Sequence, residues 1–260
     1  MYRWFKTLYQ YRELLYSVTI RSIKVRYKQT FLGIAWAVLQ PLSLMALLTI
    51  IFSKFARFPT DGMPHVLFYY SGLLPWTFVS ASVSFAVISL VNNSELVSKI
   101  YLPREIFPIA CVFASFFDFL VASVIFGIML IIFAIPFTGY FLYLVPVLMI
   151  LILITLAVSL LVSVLNVYYR DVKYIMNLIM QLWMFSSPVI YPMSIVPQRF
   201  QFLYMFNPLT VVIDSFRRII LQGRPPGFSA IGIAAAISLV LFFVSYRVFK
   251  SLERNLADVI

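Results

Sequence analysis

Few side chains in this sequence could carry out chemistry, and their spacing excludes most of it. The 260 residues hold nine Asp and Glu, one His and one Cys. Asp118, in ASFFDFLVAS, is the one acid deep within a long apolar stretch. Acids at membrane depth are costly and often mark ion or proton paths, but such paths use several groups and here there is one. A buried hydrogen-bonding or subunit-packing role therefore outweighs a transport role for Asp118, and both stay open. His65 lies in a loop with no second imidazole, so it builds no metal set and reads as structural. Cys111 is alone, which excludes a disulfide or cysteine metal cluster within one chain. No glycine precedes a lysine, so the phosphate-cradling P-loop is missing and the chain is not expected to bind ATP that way. No D-x-D pair is present for metal-dependent group transfer. We expect no catalytic residues, no bound metal and no cofactor of its own.

Charges and aromatics remain. In NNSELVSKIYLPRE, residues 92–105, Asn93 or Ser94 can cap a short helix, Glu95 and Lys99 stand one turn apart, and Pro103 stops it. Such a helix would lie parallel to a membrane surface, by default as a plain connector. Aromatic residues make up 18% of the chain. Interfacial belts account for Tyr69, Tyr70, Trp76, Tyr140 and Tyr143. Others could line a passage and stack on flat, weakly polar groups such as sugar rings. The net charge of +11 would point to nucleic acid in a soluble chain. Here the basic residues gather at the ends of apolar runs, where they meet lipid headgroups and fix orientation, so nucleic acid is not an expected partner.

The elements that must position these groups follow from composition. The chain is 63% hydrophobic and 11% charged, against roughly 45–50% apolar residues in soluble domains. It reads as an all-α polytopic membrane protein, one domain over residues 1–260. Residues 1–30 carry seven basic side chains against Glu13. At helical spacing Tyr11, Leu14, Leu15, Val18 and Val25 share a face, which predicts an amphipathic interface helix along the cytoplasmic surface. Six apolar runs follow, at 31–52, 66–91, 106–133, 141–165, 174–191 and 228–246, each near the roughly 20 residues needed to cross. With both termini inside, cytoplasmic segments hold 14 Lys and Arg and external segments 6, as the positive-inside rule requires. Pro41, Pro75, Pro108 and Pro146 lie within runs and are expected to bend them. Residues 192–227 are too long for a turn. Asn207–Pro208 opens a helix to Gln222, with Gly223 as its stop. Its polar Asp214, Arg217 and Arg218 place it at the outer interface, in a broken hairpin between spans five and six.

Six blocks, RYKQTFLGIAWAVLQPL (26–42), GLLPWTF (72–78), SKIYLPREIFPIA (98–110), LNVYYRDVKY (165–174), QLWMFSSPVIYP (181–192) and NPLTVVIDSFR (207–217), resemble the permease subunit of ABC-2 type polysaccharide exporters. That family includes bacterial O-antigen and teichoic acid exporters. The resemblance implies a homodimer in the bacterial inner membrane with two separate ABC ATPase subunits, which would bind the ATP and Mg. Its substrate would be a lipid-linked polysaccharide, O-antigen in type. By similarity, Ser94, Glu95, Leu96, Val97, Ser98, Lys99, Ile100 and Tyr101 form a coupling helix, with Tyr169, Arg170 and Asp171 as a second ATPase contact. Phe31, Trp36, Trp183, Phe185 and Tyr191 are candidate channel aromatics. Asn207, Pro208, Phe216, Arg217 and Arg218 belong to external re-entrant gate helices. Arg26, Lys28 and Arg170 are candidates for attracting the lipid pyrophosphate, a role that topology control explains equally well. Alternative readings are a permease for teichoic acid, capsule or a small hydrophobic compound, and a membrane-embedded lipid or sugar transferase.

Overall fold

A computed structural model describes residues 9–28, 30–55, 60–99, 102–253 and 256, with backbone alone at 54, 55, 98 and 99. Among the described residues there are ten α-helices and no strand. Helix α1 spans Arg12–Tyr27, and α2 spans Trp36–Ile50 with a π-turn continuing it to Phe55. Between them the chain turns through Gly33, whose φ of +52° is a left-handed conformation suited to glycine. The basic run therefore does not feed straight into the first span but meets it at an elbow. The following helices are α3 His65–Val87, α4 Ser94–Lys99, α5 Ile106–Ile132, α6 Leu144–Tyr168 and α7 Val172–Phe185. The last three are α8 Gln198–Met205, α9 Pro208–Ile220 and α10 Phe228–Glu253.

Among the described residues, five segments are long and apolar enough to cross a membrane: Gly33–Ser53, His65–Val87, Ile106–Ile132, Gly139–Tyr168 and Phe228–Glu253. The apolar run at 174–191 forms only the 14-residue α7, about 21 Å long. Ser186, Ser187 and Pro188 follow, and proline supplies no N–H to continue the ladder. Even so, α7 begins beside Tyr168, whose hydroxyl donates to the Leu252 carbonyl at one end of the bundle (2.8 Å). The chain after it reaches Ser194, whose hydroxyl donates to Asp61 at the other end (2.9 Å). The 174–191 run thus forms a short helix with a broken extension that leads from one end of the bundle to the other.

Helix α3 is the hub, packing against α2, α5, α6, α7 and α9. It is the least hydrophobic of the five long segments and the most buried. That inversion is physical: lipid-facing helices must be apolar, whereas a central helix can carry polar groups that its neighbours satisfy. Tyr70 illustrates it, its hydroxyl donating to the Ala122 carbonyl of α5 (3.1 Å). At the opposite extreme, α7 buries only Met180, and α2 only Pro41, Met45 and Leu48. Ile175, Leu178, Ile179 and Leu182 form an exposed apolar stripe on α7 at three- and four-residue spacing.

Two sequence expectations are corrected here. Pro108 and Pro146 occupy the third positions of α5 and α6, where the missing N–H has no intrahelical partner to lose, so they start helices instead of bending them. Pro41 and Pro75 do lie inside their helices. On α1, Tyr11, Leu14, Leu15 and Val18 are half-buried as expected, but Val25 is 66% exposed. The last turn turns Arg26 and Tyr27 toward α5 instead.

Candidate functional site

Three groups of side chains converge where the sequence places candidates, and each is built by contacts between distant segments. The first lies at the elbow. The Arg26 guanidinium pairs with Asp118 (2.7 Å), donates to the Ser115 hydroxyl (3.1 Å) and the Cys111 carbonyl (3.2 Å), and sits 3.8 Å from the Phe85 ring centre. The Tyr27 hydroxyl donates to the second Asp118 oxygen (2.7 Å). Removal from water, with the Asp118 carboxylate second, pushes the Tyr27 phenol above its ordinary value. Asp118 is thus neutralised and hydrogen-bonded, the outcome expected for a single acid at depth. These groups line a cavity of about 390 Å³ with Trp36, Gln40, Ser80 and Ser84. Lys28 is exposed at the end of α1, and Arg170 lies in the exposed 169–171 turn, outside this lining.

The second group surrounds the break after α7. Asn207 caps α9, its side-chain oxygen accepting from Leu209 N–H (3.2 Å) and from the Trp183 indole (3.1 Å). Its amide nitrogen donates to the Ser187 hydroxyl (2.9 Å). Pro208, the first helical residue, has no N–H to leave unpaired. The Tyr191 hydroxyl donates to the Phe185 carbonyl (2.9 Å) and shares a hydrogen bond with Tyr204 (2.8 Å). Of the five aromatic candidates, Trp183, Phe185 and Tyr191 are therefore gathered by the α8–α9 hairpin, while Phe31 and Trp36 sit at the elbow. Phe31, Trp36 and Phe185 expose half or more of their surface.

Arg217 is the main correction in this region. The sequence places it on a polar outer face, yet it is only 4% exposed. It donates to the carbonyls of Pro188 (2.5 Å), Val189 (2.8 Å) and Phe68 (3.3 Å), and its guanidinium lies 3.7 Å from the Phe68 ring centre. The break after α7 orphans the Pro188 and Val189 carbonyls, and a planar multi-donor group can serve several acceptors at once. Gly72 makes the approach possible: a Cβ there would meet the Arg217 guanidinium at 2.6 Å and the Val189 carbonyl at 2.7 Å. Asp214 and Arg218 do remain at the surface, paired at 2.7 Å across one helical turn. Phe216 is buried in the core, and α9 ends at Ile220 with Gly223 at φ +58° shortly beyond.

The third group lies at the end that carries α4. Ser94 to Lys99 form α4, with Glu95 exposed, Leu96 half-buried and Val97 buried. The side chains of Ser98 and Lys99, and all of Ile100 and Tyr101, fall outside the described residues. Tyr169, Arg170 and Asp171 make an exposed turn at the same end, tied to α10 through the Tyr168–Leu252 bond. Between them the Lys250 ammonium bridges Glu105 and Glu253, and Arg104 N–H donates to Glu253 (3.2 Å). Burial pushes the Glu105 carboxyl up, against the pull of Lys250. Sequence reasoning missed this cluster, the Arg26–Asp118 pair and the Arg217 cage, because each depends on bonds between residues 28 to 149 positions apart.

An all-helical fold in which, among the described residues, five helical segments are long and apolar enough to cross a membrane defines a polytopic membrane protein. Residues 13–221 match the ABC-2 type transporter family, and the chain belongs to it. It is 28% identical over 260 residues to the O-antigen export system permease protein RfbA of Myxococcus xanthus, covering 99% of both chains. It is 25% identical to an O-antigen export system permease protein RfbA of Klebsiella pneumoniae, covering 95% of each. Similarity extends to the polysialic acid transport protein KpsM of Escherichia coli, at 20% identity over 90% of this chain and 91% of that one.

Proposed function

We propose that this chain is the permease of an ATP-driven exporter that moves a lipid-linked polysaccharide of the O-antigen type across the bacterial inner membrane. It would act as a homodimer with two ABC ATPase subunits. The observation that carries the reading is the elbow cavity, where a guanidinium and hydroxyls meet an indole beside the interface helix. An anionic headgroup needs the first two, and a sugar face suits the third. Similarity over nearly the full length to permeases named for O-antigen export supports the substrate class.

The elements suggest how work would be done. With both termini cytoplasmic, as the 14 to 6 distribution of Lys and Arg favours, the elbow cavity and α4 lie on the substrate's side of departure. The pyrophosphate would exchange with Asp118 for Arg26, with exposed Lys28 assisting. Closure of the ATPases would press on α4 and the 169–171 turn. Energy would enter as the difference in ATPase affinity for two permease states, since only a differential interaction shifts such an equilibrium. Helices α2 and α7 present their apolar faces outward, which suits surfaces that meet a second protomer or line a shared path. The α8–α9 hairpin would be the outer gate, moving about the Asn207 and Arg217 contacts.

Deleting the gene and restoring it with its ATPase tests the reading. The expected result is loss of surface polysaccharide with cytoplasmic accumulation of the lipid-linked polymer, reversed by complementation. Unchanged surface polymer together with raised sensitivity to small hydrophobic compounds would overturn it. Capsule is the second substrate reading, favoured by the similarity to the polysialic acid transport protein.

A further inference from the structure

Three chain segments distant in sequence enclose a polar cleft at the end of the bundle opposite α4. Helix α9 forms one wall. Eleven of its 13 residues are buried, and the two that are not, Asp214 and Arg218, both face this cleft. Gln222 extends the same stripe one turn further. The opposite wall is the turn at 60–63, fixed by a bond from the Thr60 hydroxyl to the Met63 carbonyl (2.6 Å), with Asp61 at φ +51° and Gly62 at φ +79°. Ser194 and Gln201 close the third side. The cleft has a volume of about 260 Å³ and shares Asp61, Met63 and Gln222 with a neighbouring hollow of about 480 Å³ that reaches Arg224.

We propose that this cleft is a saccharide-binding subsite at the outer mouth, which takes a sugar unit of the polymer as it leaves the α8–α9 gate. The inference rests on the export of polysaccharide proposed above. The chemistry of the wall selects the ligand. Two carboxylates alternate with guanidinium groups and carboxamides, so donors and acceptors are interleaved within one concave surface. A free cation would meet Arg217 and Arg218 there, and a phosphate would meet two carboxylates. A sugar hydroxyl donates and accepts at once, and vicinal hydroxyls match carboxylate, carboxamide and guanidinium pairs. Capacity for such bonds is unused: Ser194 occupies one Asp61 oxygen, whereas the Gln222 and Arg224 side chains make no hydrogen bond among the described residues. Met63, Pro192 and Met193 supply apolar edges for the C–H face of a ring. The volume lies just below the roughly 300 to 1,000 Å³ of pockets for drug-sized ligands, a fit for one ring with its neighbour in the adjoining hollow. A weak site at an exit guides a polymer without trapping it, and would hold the emerging chain against slipping back between strokes.

The test uses the full-length chain in lipid nanodiscs. The probe is a lipid-free oligosaccharide released by mild acid from the host strain's own surface polysaccharide, followed by saturation-transfer NMR and titration. Saturable binding that weakens at least tenfold in Asp214→Asn and in Gln222→Ala, with unchanged melting temperature in Gln222→Ala, supports the subsite. Gln222 is exposed and keeps the test valid if Asp214→Asn folds poorly. Absence of saturable binding, equal binding of a dextran oligosaccharide, or binding unaffected by Gln222→Ala would each overturn it. The gene-deletion experiment separates the two claims. Loss of surface polymer without saccharide binding removes the subsite alone, and persistence of surface polymer removes the export reading itself.

Discussion

Replacing Asp118 by alanine isolates a buried electrostatic contact between α1 and α5. In the native chain Arg26 and Asp118 are 9% and 19% exposed, so little solvent screens the pair. The variant leaves a buried guanidinium with only the Ser115 hydroxyl, the Cys111 carbonyl and the Phe85 ring, and it strips the Tyr27 hydroxyl of its acceptor. Breaking one side of a buried pair costs about 3–5 kcal/mol, because the remaining charge keeps its desolvation penalty. At roughly 2–4 °C per kcal/mol for a chain of this size, the melting temperature should fall on the order of 10 °C. Removing both charges by Arg26→Met with Asp118→Leu should recover most of that loss, since apolar replacement of a whole buried pair is close to neutral. Cys111 is a built-in reporter: it is the sole cysteine and is buried beside the pair, so a thiol-reactive fluorophore reads opening of α1 from α5 during heating. A shift under 2 °C for Asp118→Ala, or a double variant no more stable than the single one, would refute the argument that this pair holds the interface helix.

Three further outcomes follow from contacts elsewhere. Gly72→Ala would drive a Cβ against the Val189 backbone carbonyl at 2.7 Å, and overpacking of this kind costs about 1–3 kcal/mol. A lowered melting temperature and increased protease cleavage within 186–207 would show it. Asn207→Ala removes the α9 cap and two side-chain bonds. The cap alone is worth about 0.5–2 kcal/mol, so faster hydrogen exchange in the first turn of α9 is expected by mass spectrometry. Lys250→Met leaves Glu105 buried without its cation. A carboxyl held above its ordinary value binds more protons when folded, so stability falls as pH rises from the unfolded value through the folded one. The variant should therefore melt higher at pH 5 than at pH 8, by a wider margin than the native chain, in a pH series of thermal unfolding.

Much of the fold was legible because membrane helices announce themselves by length: five of the six expected runs coincide with long helices, and α9 appears where Asn207–Pro208 and Gly223 bracket it. The fifth run, 174–191, does not form one long helix. Apolar composition from 174 to 191 is continuous, but Ser186, Ser187 and Pro188 decide where the backbone ladder stops. The candidate site was legible residue by residue and not as a site. Asp118 stood out as a lone acid and Arg26 as one of several orienting charges, yet their bond depends on α1 lying against α5, which no local pattern encodes.

Arg217 shows what would have improved the reading. On a surface helix, Asp214, Arg217 and Arg218 read together as one polar face, and Asp214 with Arg218 behave that way. Arg217 departs from it because the break after α7 is buried and leaves carbonyls that water cannot serve, and each unsatisfied one is costly. A Ser-Ser-Pro interruption inside an apolar run therefore predicts a donor brought in from elsewhere in the chain. An arginine on α9 meets that need, with Gly72 on the central helix clearing the space. The same reasoning explains how α9 is anchored beside a buried helix break. Its anchor is one guanidinium holding backbone carbonyls, an arrangement that can be exchanged one hydrogen bond at a time without unpacking the apolar core around α3.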